Sequence, residues 1–277
     1  MNPSLLTTCR SLSTAVLLLC TSATGALGAT IAYTSTYYPS ALPRTSGGTV
    51  GDPSWVYTNN SGGVPSISGD TLIANTVGKG NAVMSWQIGR FGSTVYGTEA
   101  AWSISSTVGV TIDFTLRVTG ADNAAVGPGG FQLAFGDGSK NASFFFGLDS
   151  IKLYNASVPA NSVTVAFNNT VERTFRIVMK NGAVSLFESG SESAILTSSS
   201  LSTHLPNWNV FYFGDGSGSG LVNGSYELSF LGWNNALAEY SAPPVSPIPE
   251  PSAYALLIFA SASIFYFRRR PMAKKVG

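Results

Sequence analysis

The sequence predicts an all-β protein, a two-sheet antiparallel sandwich or jelly roll. Three observations carry this. Val110-Thr111-Ile112-Asp113-Phe114-Thr115-Leu116-Arg117-Val118 alternates apolar and polar residues without a break, as a strand with one face in a core requires. Thr174 to Glu188 reads as a hairpin, in which Phe175, Ile177 and Met179 alternate with Arg176 and Lys180 before Asn181-Gly182. Asn-Gly supplies the positive φ angles of a two-residue type I′ turn, and Ala183 to Glu188 returns. Between Thr30 and Tyr240 glycine, serine, threonine and asparagine abound and no long helical period occurs.

The other strands follow in order. Phe131, Leu133 and Phe135 alternate around Gln132 and Ala134, and Val163, Val165 and Phe167 repeat the pattern. The last strand is Tyr226 to Trp233, with Tyr226, Leu228 and Phe230 predicted on one side. Phe135-Gly136-Asp137-Gly138-Ser139 recurs as Phe213-Gly214-Asp215-Gly216-Ser217, each copy ending a strand in a tight turn. Two equivalent strand ends explain the repeat. Calcium is the alternative, but one carboxylate per loop is thin for an ion that takes about six to eight oxygens.

Both ends of the chain carry address signals. Arg10, the apolar run from Leu12 to Cys20 and the small residues ending Ala26-Leu27-Gly28-Ala29 form a secretory signal peptide over residues 1–29. Leu19 is too bulky to precede a lipidated Cys20. The only cysteines, Cys9 and Cys20, leave with that segment, so the exported chain has no disulfide and no thiol chemistry. With His204 the single histidine, no zinc site is expected. Residues 30–240 form one domain, long enough for a real core. It holds nine basic and 13 acidic residues, a net charge of −4, which excludes a basic nucleic-acid face. Residues 241–249, Ser-Ala-Pro-Pro-Val-Ser-Pro-Ile-Pro, make a semi-rigid extended spacer.

At the C-terminus Pro249-Glu250-Pro251 precedes an apolar segment, predicted as one membrane helix over about residues 252–267. Arg268, Arg269 and Arg270 follow as a stop. The segment's 15 or so apolar residues span about 23 Å as a helix, short for a bilayer core, but snorkelling arginines and Tyr254 and Tyr266 suit the interfaces. The ordered combination over residues 249–275 resembles the PEP-CTERM sorting signal of Gram-negative bacteria. The resemblance implies recognition and processing by exosortase, a membrane protease-transpeptidase, and a final place at the cell surface or in the extracellular matrix. A plain membrane anchor, which needs no Pro-Glu-Pro, is the alternative.

Trp102-Ser-Ile104, Gly109 to Phe114, Gly130 to Leu133, Thr174 to Ile177, Asn181 to Phe187, Phe211 to Gly216 and Tyr226 to Leu228 come in an order that resembles concanavalin A-like, or laminin-G-like, domains. The resemblance covers roughly residues 71–234 and implies two packed sheets of about six or seven strands each. The laminarinase-type enzymes of that fold carry Glu-x-Asp-x-Glu on one strand, and this chain has no such triplet. Asp113 and Glu227 each stand alone and are predicted as solvent-facing charges opposite the core. His204, in Ser202-Thr203-His204-Leu205-Pro206, has no nucleophile elbow near it and is predicted as a solvated loop residue.

For sugar binding the candidates are Trp55, Tyr57, Trp208 and Tyr212, with core packing as the competing reading of each. Asn59, Asn141, Asn155, Asn168 and Asn223 stand in Asn-x-Ser/Thr triplets, which an Asn- and Ser-rich chain produces by chance. The expectation is a non-enzymatic exported surface or matrix protein without a cofactor or metal. Its expected partners are an exosortase-type protease, the membrane and exopolysaccharide. A lectin-like carbohydrate binder is the alternative, and a glycoside hydrolase the third reading.

Overall fold

The computed structural model describes residues 33–61, 63–79, 83–105, 107–122, 127–215 and 223–235. The chain divides into two units, Met1–Pro244 and Val245–Gly277, and the described residues all belong to the first. The predicted signal peptide, spacer, sorting motif, membrane helix and basic cluster lie outside the described residues. Among the described residues no helix is long and apolar enough to cross a membrane.

Sixteen strands build two antiparallel sheets: β1 (Ser35–Tyr37), β2 (Val56–Asn59), β3 (Ser66–Ser68), β4 (Thr71–Asn75), β5 (Met84–Phe91), β6 (Thr94–Tyr96), β7 (Val110–Ala121) and β8 (Phe131–Gly136), then β9 (Asn141–Phe146), β10 (Ser150–Tyr154), β11 (Val163–Ala166), β12 (Arg173–Lys180), β13 (Ala183–Glu188), β14 (Leu196–Ser198), β15 (Trp208–Asp215) and β16 (Gly224–Asn234). One sheet runs β14-β13-β12-β7-β16-β4-β3, with β1 added to β16. The other runs β11-β10-β9-β8-β15-β5-β2, with β6 added to β5. Among the described residues each sheet therefore has eight strands, one or two more than the resemblance implied. The sandwich itself is as the sequence predicts.

The alternation in β7 places Ile112, Phe114 and Leu116 in the core, where Phe114 stacks on Phe175 and meets Phe146 edge to face. Asn181 (φ 52°) and Gly182 (φ 72°) make the predicted turn and set the register Lys180 opposite Ala183. At the other end of the core Trp55, Trp86, Trp102, Trp233, Phe211 and Phe213 interlock. Trp55 is thus a core residue and not an exposed sugar platform. Its indole fills the gap between the sheets, as the core-packing reading of Trp55 has it.

Two further expectations are corrected. The β16–β7 ladder carries an irregularity between Leu228 and Phe230, so Ser229 is extra and the facing reverses. Tyr226 and Leu228 point into the core, but Phe230 packs outside against Tyr33 and Tyr38, and Leu231 and Trp233 take over inside. Asp113 is not solvent-facing either. It is 2% exposed and lies opposite Arg176 on β12, which is fully buried. The guanidinium clasps both carboxylate oxygens at 2.8 Å, and the Tyr33 hydroxyl donates to Oδ2 at 2.7 Å. Burial and the neighbouring Asp113 carboxylate push the Tyr33 hydroxyl far above its ordinary pKa. Partnering of this kind lets the outer face of a sheet hold a buried charge.

Candidate functional site

The face of the β8-containing sheet that points away from the core is hollow at its centre. Cross-strand register explains the shape. Tyr154 on β10 lies opposite Ser143 on β9, Ser143 opposite Ala134 on β8, and Ala134 opposite Tyr212 on β15. Two small side chains in adjacent strands, flanked by two tyrosines, leave a saddle between aromatic walls. In the row on one side of it Gln132 faces Phe145, and in the row on the other Asn141 faces Gly136.

Gly136 has no side chain because Trp208 occupies that place. A Cβ there would stand 2.2 Å from the Trp208 carbonyl oxygen and 2.8 Å from its ring. Asn207, at φ 64°, turns the chain into β15, and its amide donates to the Gly138 carbonyl at 2.8 Å. The Asp137 Oδ1 atom accepts from the Ser139 and Lys140 amides, holding the facing turn.

Two loops close the rim. Asn155 donates to the Ser200 carbonyl at 2.9 Å and accepts from the Ser157 and Val158 amides. Ser157 in turn accepts from the Thr203 amide at 2.8 Å. These bonds bring Ala156, His204 and Leu205 to the edge of a cavity of about 480 Å³, within the about 300–1,000 Å³ usual for small-ligand sites. Among the described residues its lining carries no Lys, Arg, Asp or Glu.

Of the sequence candidates, Trp208 and Tyr212 line this cavity and His204 stands exposed at its edge. Tyr212 donates to the Asp215 carbonyl at 2.9 Å, and burial raises its pKa well above the ordinary value. Tyr57 stacks on Trp86 and is not part of the site. Gln132, Ser143, Phe145 and Tyr154 were not foreseen. Asn141, singled out only as a glycosylation triplet, is 93% buried in the lining. Asn155 and Asn223 are buried too, whereas Asn59 and Asn168 are exposed.

The carboxylates do not converge. Glu227 pairs with Arg117 at 3.4 Å and Asp113 with Arg176, both on the opposite sheet. The two copies of the repeat stand at the ends of antiparallel neighbours, β8 and β15, so Asp137 and Asp215 lie at opposite ends of the sheet. Asp215 accepts from the Met84 amide and the Thr76 hydroxyl, and burial raises its pKa to about 7.

No family model matches the chain, and no curated protein matches its sequence. Solved structures resemble it in part. A mutant of Trypanosoma rangeli sialidase displaying trans-sialidase activity shares 12% identity over 68% of this chain and 28% of its own, with a TM-score of 0.40. A structure of botulinum neurotoxin type C, whose cell entry depends on interaction with two ganglioside molecules, shares 8% identity over 75% and 46%, with a TM-score of 0.43. The carbohydrate recognition domain of Emp46p, in metal-free form, shares 12% identity over 66% and 88%, with a TM-score of 0.38. This chain spans less than half of the sialidase and toxin chains.

Proposed function

We propose that the chain is an exported, non-enzymatic surface or matrix protein whose sandwich binds carbohydrate in the cavity beside Trp208. The observation that carries the binding reading is the saddle Tyr154–Ser143–Ala134–Tyr212 with Trp208 at its end. Aromatic faces stack on the C–H faces of sugar rings, small side chains let a ring approach the sheet, and amides and hydroxyls meet its hydroxyl groups. A hydrolase needs two carboxylates flanking one bond. The lining among the described residues has none, and Asp113 and Glu227 are engaged by arginines on the other sheet.

Export and sorting rest on the terminal sequences, Arg10 to Ala29 and Pro249 to Arg270. Intact-mass measurement of protein from the native host is expected to show loss of the signal peptide and of the residues after about Glu250. A mature form that keeps Arg268 to Arg270 would leave the plain anchor as the reading. For the sandwich, calorimetry against neutral oligosaccharides is expected to show binding that Trp208→Ala weakens at least about tenfold, without release of reducing ends. Binding indifferent to that substitution would place the sugar elsewhere.

A further inference from the structure

Among the described residues, two buried side-chain atoms of the cavity lining have no hydrogen-bond partner in the protein: Gln132 Oε1 and Asn141 Nδ2. Both residues are more than nine-tenths buried, at 6% and 7% exposed, and both line the saddle. The Gln132 Nε2 donates to the Ser143 hydroxyl at 2.9 Å, which leaves Oε1 buried without a partner. One atom is an acceptor and the other a donor, so they do not duplicate each other. Gln132 faces Phe145, and Asn141 lies four residues before Phe145 on β9. At about 3.3 Å per residue the two backbone positions lie about 13 Å apart along the strands. The Ser143–Ala134 saddle lies between them.

A buried polar atom left unmatched is costly, whereas an apolar side chain of the same shape there is not. Nothing among the described residues bonds these two atoms, and with no open surface of their own they meet a ligand in the saddle when the two side chains turn toward it. We propose that Gln132 and Asn141 determine the specificity of the cavity. Gln132 accepts from a hydroxyl at one end of a neutral oligosaccharide, and Asn141 donates to a hydroxyl or ring oxygen at the other. This inference rests on the carbohydrate-binding reading above. Neutrality follows from the lining. Lys152 has its ammonium 5.4 Å over the Tyr154 ring, and the described lining carries no Lys, Arg, Asp or Glu.

The test uses the full chain in a sugar-free detergent, with Gln132→Met and Asn141→Leu as near-isosteric variants. The probes are neutral di- to tetrasaccharides of the gluco, manno, galacto and xylo series, their uronic-acid counterparts, and monodeoxy forms of whichever sugar binds. Asn141→Leu is expected to keep or raise the unfolding midpoint, since it removes an unmatched polar group, and Gln132→Met to change it little, since the bond to Ser143 goes together with the unmatched oxygen. Each is also expected to lose at least about tenfold in affinity and to stop discriminating the parent sugar from one deoxy analogue. A structural role alone would lower the midpoint and leave that discrimination intact, and this result overturns the proposal. Tighter binding of uronates overturns it as well. Neutral binding that Trp208→Ala weakens but both amide variants spare leaves the carbohydrate reading standing and this inference wrong. If no sugar binds, the carbohydrate reading falls and takes the inference with it.

Discussion

Cutting Arg176 back to alanine is expected to destabilise the sandwich by about 3–5 kcal/mol, the cost of leaving one charge of a buried pair alone. Asp113 and Arg176 meet through two bonds of 2.8 Å at 2% and 0% side-chain exposure. Without the guanidinium the Asp113 carboxylate loses two charge-assisted bonds and keeps that of the Tyr33 hydroxyl, and one neutral donor does not replace a bidentate cation. Replacing both partners together, Asp113→Leu with Arg176→Met, is expected to cost far less, because no buried charge remains. Tyr33→Phe removes one hydrogen bond to a charged group and is expected to cost about 1.5–3 kcal/mol. Urea unfolding midpoints of the four proteins decide this. A single Arg176→Ala cost below about 1 kcal/mol, or a double variant worse than the single, would show that the pair does not anchor this face.

The same pair shows where the sequence stops being legible. Asp113 sits at a polar position in the alternating strand Val110–Val118, and alternation says only that it faces away from the core. That the far face is covered there, and that Arg176 arrives opposite, depends on the β7–β12 register, which spans 63 residues of sequence. β7, the Asn-Gly hairpin and β8 were legible because each follows a local rule of period or turn chemistry. β9 was not. In Asn141–Phe146 three successive phenylalanines break the alternation, since Phe144 and Phe146 enter the core while Phe145 lines the cavity on the other face. The extra residue at Ser229 likewise defeats a strict period of two. At the site, Trp208 and Tyr212 could be named by residue type. The saddle could not, because Tyr154, Ser143, Ala134 and Tyr212 come from four strands and align only through pairing. One local signal existed. Gln132 between Phe131 and Leu133 is a large amide in a strand buried on both faces, and such a residue asks for a partner.

Asp215 is expected to make the protein less stable as pH rises from about 4 to about 7. Its carboxylate closes one end of the sandwich, linking β15 of one sheet to the other. It meets the Met84 amide and the Thr76 hydroxyl, and Thr76 accepts from the Gly224 amide at 3.1 Å. The side chains that face it are neutral: Tyr57 and Tyr226 sense its charge, and Tyr212 bonds its carbonyl. Burial, only partly offset by the Met84 amide, lifts its pKa from 3.8 to about 7. Below about pH 4 folded and unfolded chains both hold the proton, and the contribution is complete. Between about 4 and 7 only the folded chain holds it, so each step up in pH favours unfolding; above about 7 the loss is finished. A shift of about 3 units corresponds to up to about 4 kcal/mol. When protonated, Asp215 can donate to Thr76, which then donates to the Gly224 carbonyl 3.3 Å away. Asparagine reproduces that neutral pattern, with its Nδ2 toward Thr76 and its Oδ1 toward the Met84 amide. Asp215→Asn is therefore expected to match the wild type near pH 4, to exceed it by a few kcal/mol at pH 8, and to lack its dependence between. Urea unfolding of both proteins at pH 4.5, 6 and 8 measures the difference directly, and two parallel stability profiles would rule out Asp215 as its source.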